Sequence, residues 1–332
     1  MKIQNHLAIP EKRILIVGNR SYRNMWDELI LLWTVKLLLN QEKKITIAAY
    51  NPQRLKEFLS QFIDTKKVTF VTELPKGIRS WIRYIIEGKY KERKLYRKID
   101  AVIIGWGEII TEENKNSYRY RIVSLLPCLR KPRYLMGGIQ LPKKYINRLL
   151  FKRILKDTKH IFARDQETVD ELSGYGYKYA EFFMDTSYFA YDRKKNRQNP
   201  SDKRYIIVNL NKNAEKFLPD IIQEVKKLYN QWYSIMYIPV AKGNNQRYDD
   251  MRYAQKIQLG AEIKDQRFTI LDREKDFSFF VKTLAQASMV ISSRLHLFLI
   301  ASFLGVPTKV YPYQKKIIKM QKTLETLEIR KE

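Results

Sequence analysis

Arg13-Ile14-Leu15-Ile16-Val17-Gly18 is a continuous aliphatic run that ends in glycine. Outward from it, Met25 to Leu39 carries apolar residues at spacings that suit a buried helix, so the chain opens as strand, loop, helix. The unit recurs. Ile45–Ala49, Val68–Val71, Ala101–Gly105, Tyr134–Gly137 and Ile161–Ala163 predict strands, separated by helical segments such as Pro52–Phe62 and Tyr145–Leu155. Strands that are apolar throughout, rather than on alternate residues, imply a parallel sheet covered on both faces.

From Asp185 to Ser201 the pattern gives way to a polar stretch that includes Asn199-Pro200-Ser201, a linker by composition. A second series follows. Tyr205–Asn209, Ser234–Pro239, Arg267–Leu271 and Met289–Ser292 predict strands, with Val310 closing the sheet. Ala214–Trp232, Tyr248–Leu259, Phe277–Ala287, Leu295–Leu304 and Lys315–Ile329 predict helices. The expected fold class is α/β, with two Rossmann-like doubly wound domains facing a cleft. Residues 1–192 and 203–314 form the domains, and 315–332 a C-terminal helix. Such folds bind ligands at the carboxyl ends of their strands, so the site should be built from strand-following loops.

A chain of 332 residues exceeds what one core usually supports, and its 45% apolar content is enough to fill two. The formal charge of +28 favours anionic partners: nucleic acid, acidic lipid headgroups or phosphorylated metabolites. Its spread from Lys2 to Lys331, with knots at Lys91–Lys98 and Arg193–Arg197, also fits a merely solvated basic surface. One cysteine, Cys128, excludes an internal disulfide and a cysteine zinc cluster, and its apolar surroundings suggest a core residue. Met1–Glu11 lacks the apolar core of a signal peptide, and Leu29–Leu39 is too short to span a bilayer. A cytoplasmic location is expected, with peripheral contact at an anionic inner membrane face.

The first strand-to-helix connection, Gly18-Asn19 through Asp27-Glu28, places a glycine ahead of a helix N-terminus, where anions are stabilised. Asp27 and Glu28 equally suit simple placement in a first helical turn. Neither a dinucleotide fingerprint nor a Walker sequence is present, which gives no support to NAD or ATP. The loop Gly105-Trp106-Gly107-Glu108 and the pair Gly137-Gly138 each follow a predicted strand, and three glycine sites in one sheet point to a shared ligand edge. Arg164-Asp165 follows another strand: Asp165 suits a helix N-cap, while Arg164 offers a guanidinium fork to a carboxylate or phosphate, or to a neighbouring acid. Ser292-Ser293-Arg294-Leu295-His296 sets Arg and His two residues apart at a strand-to-helix transition, ahead of an apolar helix. Of three histidines, His296 has this setting and His6 and His160 do not.

Ser293-Arg294-Leu295-His296, an apolar helix and Gly305-Val306-Pro307 together resemble the C-terminal signature of polysaccharide pyruvyltransferases. In the same order, Gly18-Asn19 with Asp27-Glu28-Leu29-Ile30 resembles the family's Gly-Asn and Gly-Asp-Glu. Gly105-Trp106-Gly107 resembles its glycine-rich loop, Gly138-Ile139 its Gly-Ile-Gly, and Arg164-Asp165 its Arg-Asp. The resemblance spans nearly the whole chain. Trp26 stands where the family usually has glycine, and Gln140 where Gly-Ile-Gly would end; both lie in the half the resemblance assigns to the acceptor.

The resemblance implies a glycosyltransferase-B-like fold and transfer of a pyruvyl group from phosphoenolpyruvate to a sugar of a cell-surface or lipid-linked saccharide. It implies that Arg294 and Arg164 hold the donor's phosphate and carboxylate, with Lys316 assisting, and that His296 protonates the methylene carbon as general acid. His296 must be cationic before that step, a state that a neighbouring phosphate favours. The cleft residues Gly18, Asn19, Asp27, Glu28, Gly105, Gly107 and Gly138 fall on the acceptor side. The chemistry requires no metal and no cofactor besides the donor, and no specific nucleic acid is expected. A nucleotide-sugar glycosyltransferase of the same architecture and a non-catalytic binder of nucleic acid or anionic surfaces remain open alternatives.

Overall fold

The structure is a computed structural model. It describes residues 7–18, 25–73, 82, 84–88, 98–110, 131–184, 204–239, 250–271 and 277–326, the side chains of 25–27, 106–110, 277 and 278 excepted. Cys128, His6, Asn19, the 185–201 linker and the two basic knots apart from Lys98 lie outside the described residues, as do the side chains of Trp26 and Asp27. Two compact units emerge, one carrying Trp26–Thr186 and the strand before it, the other Ser187–Glu332.

The first unit is a seven-stranded, fully parallel sheet. It comprises β1 (Arg13–Val17), β2 (Lys44–Ala49), β3 (Val68–Thr72), β4 (Ala101–Ile110), β5 (Arg133–Ile139), β6 (Thr158–Ala163) and β7 (Ala180–Phe182), in the order β3-β2-β1-β4-β5-β6-β7. Helices α1 (Met25–Asn40), α2 (Pro52–Ser60), α3 (Tyr145–Leu155) and α4 (Gln166–Gly174) run between them. The centre of the sheet is apolar because both faces are covered: Leu15, Val17, Val102, Ile104, Leu135 and Ile161 share one core with Phe151, Ile154 and Leu172 of the helices. Local chemistry fixes the helix starts. Asn51 Oδ1 accepts from Arg54 N at 3.1 Å with Pro52 following, and Asp165 Oδ1 accepts from Thr168 N at 2.9 Å, the cap expected of it.

The second unit is a five-stranded parallel sheet. Its strands are β8 (Tyr205–Asn209), β9 (Ser234–Tyr237), β10 (Phe268–Ile270), β11 (Met289–Ser292) and β12 (Thr308–Val310), in the order β10-β9-β8-β11-β12. With it come α5 (Leu218–Asn230), α6 (Met251–Gly260), α7 (Phe277–Ala285), α8 (Leu295–Phe303) and α9 (Lys315–Thr326). In each sheet the strand order reverses once, between β1 and β4 in the first and between β8 and β11 in the second. A reversal opens a crevice at the carboxyl ends of the two strands, which places the ligand edge of each unit.

Several predicted boundaries shift for identifiable reasons. Ala214–Phe217 belongs to a 3-10 turn, Lys212–Phe217, and α5 begins at Leu218, with Pro219 in its N-terminal turn, where a missing N–H costs nothing. β9 stops at Tyr237, ahead of Pro239, which has no N–H to give a sheet ladder. β7 was not anticipated, since three residues, Ala-Glu-Phe, carry no strand pattern.

Two predicted loops are corrected more deeply. Gly105-Trp106-Gly107-Glu108 lies inside β4, which continues to Ile110 through register irregularities against β5 between Gly105 and Glu108 and again between Glu108 and Ile110. Gly138 likewise lies inside β5, paired with Glu108. Irregular strand, rather than loop, forms this edge, and bulged strands often re-aim the chain beside a site.

Candidate functional site

The second unit's reversal point is built on Ser292-Ser293-Arg294. Ser293 N donates to Asn209 O at 3.2 Å and Ser293 Oγ accepts from Asn211 N at 3.0 Å, which ties the ends of β8 and β11 together. Arg294 is the N-cap residue of α8, with its own N–H bonded to Ser292 Oγ at 2.9 Å. The Arg294 side chain makes no cap bond to α8, and a helix N-terminus favours anions. From Leu295 to Phe303 every residue is buried except His296, which keeps partial exposure while its Nε2 is enclosed. Gly305 (φ 76°) lets the chain leave α8 in the left-handed conformation, with Gly305 N and Val306 N bonded back to Ser302 O and Ala301 O. The Gly-Val-Pro that closes the signature is thus the exit that anchors a rigid helix behind Arg294 and His296.

Arg294 does not stand alone. Its Nη2 and Nε donate to the two oxygens of Asp250 at 2.7 and 3.2 Å. Asp250 is 1% exposed at the start of α6, and its Oδ2 also lies 3.4 Å from Asn209 Nδ2. Burial opposes the arginine's charge, and the Asp250 carboxylate more than offsets it, holding Arg294 above the ordinary arginine range. A pair that takes Nε and Nη2 leaves Nη1 pointing the other way, bonded to no described residue. Tyr237 completes the support. Its hydroxyl lies 2.8 Å from Asp250 O and 3.0 Å from Leu210 O, and burial foremost, then the Asp250 charge, raises it well above the usual tyrosine range.

Asp250 and Asn211 are residues that motif reading missed. Asn211 is 2% exposed, its Oδ1 accepts from Asn213 N at 2.8 Å, and its Nδ2 is buried with no hydrogen-bond partner among the described residues. Asn209 Oδ1 is in the same state. Buried amide atoms in this condition are uncommon in folded proteins, and here they cluster at the reversal point. The Asp249-Asp250 pair ahead of an amphipathic helix was the one sequence signal for Asp250; nothing local announced its partner 44 residues on.

In the first unit, Arg164 is 4% exposed at the end of β6 and makes no hydrogen bond or ion pair to any described residue. The neighbouring-acid reading finds no partner for it among the described residues. A guanidinium buried without a counter-charge is costly, and an anionic ligand relieves that cost. Gly138 explains how it fits: a Cβ there would stand 2.6 Å from Arg164 Nη2 and 2.7 Å from Cζ, so the guanidinium lies on a glycine because nothing larger leaves room. Gly105 has no such role, its would-be Cβ meeting ordinary contacts from 3.6 Å.

The remaining predicted residues divide. Gly18 is buried at the end of β1, at this unit's reversal point, and Gly107 lies in the continued β4 beside it. Glu28 is 3% exposed in the first turn of α1 and pairs with Arg54 Nη2 at 3.1 Å, which gives it a structural partner rather than a loop position. Asp27 falls in that same turn. Lys316 is half-buried in the first turn of α9, one strand along from β11. His160 pairs with Glu181 on the neighbouring β7 at 3.2 Å. Among the described residues no group of His, Cys, Asp and Glu side chains converges as metal ligands do, and no helix is long and apolar enough to cross a membrane.

Comparison with solved structures finds the same fold at low identity. A UDP-GlcNAc 2-epimerase of Methanocaldococcus jannaschii in complex with UDP-GlcNAc and UDP matches at 15% identity and TM-score 0.56, over 95% of this chain and 92% of that one. The Neisseria meningitidis UDP-GlcNAc 2-epimerase bound to UDP-GlcNAc matches at 14% and 0.57, over 96% and 93%. A glycosyltransferase of Rickettsia africae matches at 11% and 0.55, over 91% and 79%. These likenesses establish a glycosyltransferase-B-like α/β fold. Comparison by sequence with curated proteins returns no match. The family model for polysaccharide pyruvyl transferase matches residues 10–314, from the strand that opens the first sheet to the loop after the last strand of the second. A match of that extent runs through both reversal points and through Arg164 and Arg294, and by it the chain belongs to the polysaccharide pyruvyl transferase family of transferases.

Proposed function

We propose that this transferase takes phosphoenolpyruvate as donor and forms a pyruvyl ketal on a saccharide, with Arg294 and His296 as the core of the donor site. The observation that carries the reading is their placement: these two of the residues that the family resemblance assigns to the donor sit at the reversal point of the second sheet, at and in the first turn of a helix otherwise sealed in the core. His296 delivers a proton to the methylene carbon, and positive charge develops at C2. One sugar hydroxyl adds there, phosphate leaves, and a second hydroxyl closes the ketal. Of the two hydroxyl protons, one replaces the proton spent by His296 and the other departs with phosphate. Arg294 Nη1 and the N-terminus of α8 meet the donor's anionic oxygens, and Asn211 Nδ2 supplies a further donor. In the first unit, Arg164, buried and without a partner among the described residues, is the further anion-binding residue that the resemblance assigns. Lys316 assists, and no cofactor besides the donor takes part.

The family supports a saccharide acceptor, and a lipid-linked or cell-surface saccharide is the acceptor of this reading. The second reading, nucleotide-sugar transfer, is favoured by the UDP-bound structures that share the fold. Product analysis separates the two. With phosphoenolpyruvate labelled with carbon-13 at C2 and a pool of lipid-linked saccharides, the expected result is a quaternary ketal carbon in the saccharide and one phosphate released per ketal. Sugar transfer from a UDP-sugar, with no ketal formed, would replace this reading with the second.

A further inference from the structure

Helix α3 carries a surface that the reaction does not use. From Lys143 to Lys156 the sequence has six cations (Lys143, Lys144, Arg148, Lys152, Arg153 and Lys156) and no acidic residue. Phe151 and Ile154 are buried against the sheet, which fixes the rotation of the helix. On the outward face Tyr145, Ile146 and Leu149 are 74%, 58% and 50% exposed. Spacings of three and four residues put Ile146 and Leu149, and Tyr145 and Leu149, side by side, so they form one apolar patch. Lys143-Lys144 brackets it on one side and Lys152-Arg153 on the other, all four exposed. Such a patch on a solvated helix is unfavourable unless something covers it, and the bracketing charge is of one sign.

We propose that α3 docks the protein on an anionic lipid surface. Tyr145, Ile146 and Leu149 enter the headgroup–acyl boundary, while Lys143, Lys144, Lys152 and Arg153 meet lipid phosphates. The charge argues for lipid over a second copy of this chain, because two such helices would bring like charges together. α3 leaves β5 at the carboxyl edge of the sheet, the edge that carries Gly18 and Arg164. Docking there sets that edge beside the membrane, where a lipid-borne substrate resides. The inference stands whether or not the donor is phosphoenolpyruvate.

The test is partition of the full chain onto vesicles of phosphatidylcholine alone or mixed with phosphatidylglycerol, at physiological salt. Binding is expected to the anionic vesicles and not to the neutral ones. The double variant Ile146→Ser, Leu149→Ser should lower it ~10-fold, as loss of two inserted side chains does, with an unchanged melting temperature. Lys152→Glu, Arg153→Glu should lower it at least as much. A charge-matched control at the exposed Lys227 and Lys322, both changed to Glu, should leave it within about twofold. Equal binding to neutral vesicles, or equal loss in the control, would reduce the effect to general adhesion of a basic protein and overturn the proposal. A dimer in solution that the serine variant dissociates would assign the patch to self-association instead.

Discussion

His296→Asn is expected to lower the rate of pyruvyl transfer by about 10²–10⁴-fold, the span typical of removing a positioned general acid, with phosphoenolpyruvate affinity changed only a few-fold. Asparagine keeps a polar side chain of similar reach at the first turn of α8 and removes the group able to deliver a proton. The burial of α8 makes the prediction specific. Leu295 and Leu297–Phe303 hold the helix whether or not position 296 is histidine, so the variant should melt with the parent. A variant that keeps most of its turnover, or loses it only through a raised KM, would remove His296 from the proton-transfer role and leave it a binding residue.

The second large effect is expected at Asp250, as a loss of stability. Asp250→Ala strands the Arg294 guanidinium in a largely enclosed position and leaves Asn209 Nδ2 with one fewer acceptor. Breaking one partner of a buried pair typically costs about 3–5 kcal/mol, and the lower end applies because Arg294 retains some contact with solvent. The urea midpoint reads this directly. Arg294→Ala, Asp250→Ala together should cost less than the sum of the single changes, because the double variant has no stranded charge. Strict additivity would mean that the two residues do not support each other. Donor affinity should fall in Asp250→Ala as well, since the carboxylate sets the direction in which Nη1 points.

Much of the architecture was legible because parallel strands buried on both faces write themselves as unbroken apolar runs, and β1, β4, β8 and β11 all do so. The strand-end motifs were legible for the same reason: a run that stops at Gly18 or Ser292 marks the carboxyl edge. Glycines misled where they sat in bulged strand, since Gly105, Gly107 and Gly138 look alike whether the backbone turns or merely slips its register. Pairings between distant residues were invisible. Arg54 with Glu28 and Asp250 with Arg294 are contacts across 26 and 44 positions, and no local pattern links them. Arg164 shows the converse: the motif marked it from sequence, and the structure buries its guanidinium against Gly138.

The most direct test of the donor assignment is calorimetric titration with phosphoenolpyruvate, inorganic phosphate and UDP at matched ionic strength, on the parent chain, Arg164→Ala and Gly138→Ala. The parent is expected to bind phosphoenolpyruvate more tightly than phosphate and UDP. Arg164→Ala should lose that preference, and Gly138→Ala should weaken binding in the same direction, because a methyl group at 138 displaces the guanidinium. Binding of UDP by the parent with no preference for phosphoenolpyruvate over phosphate, unaltered in both variants, would contradict the account.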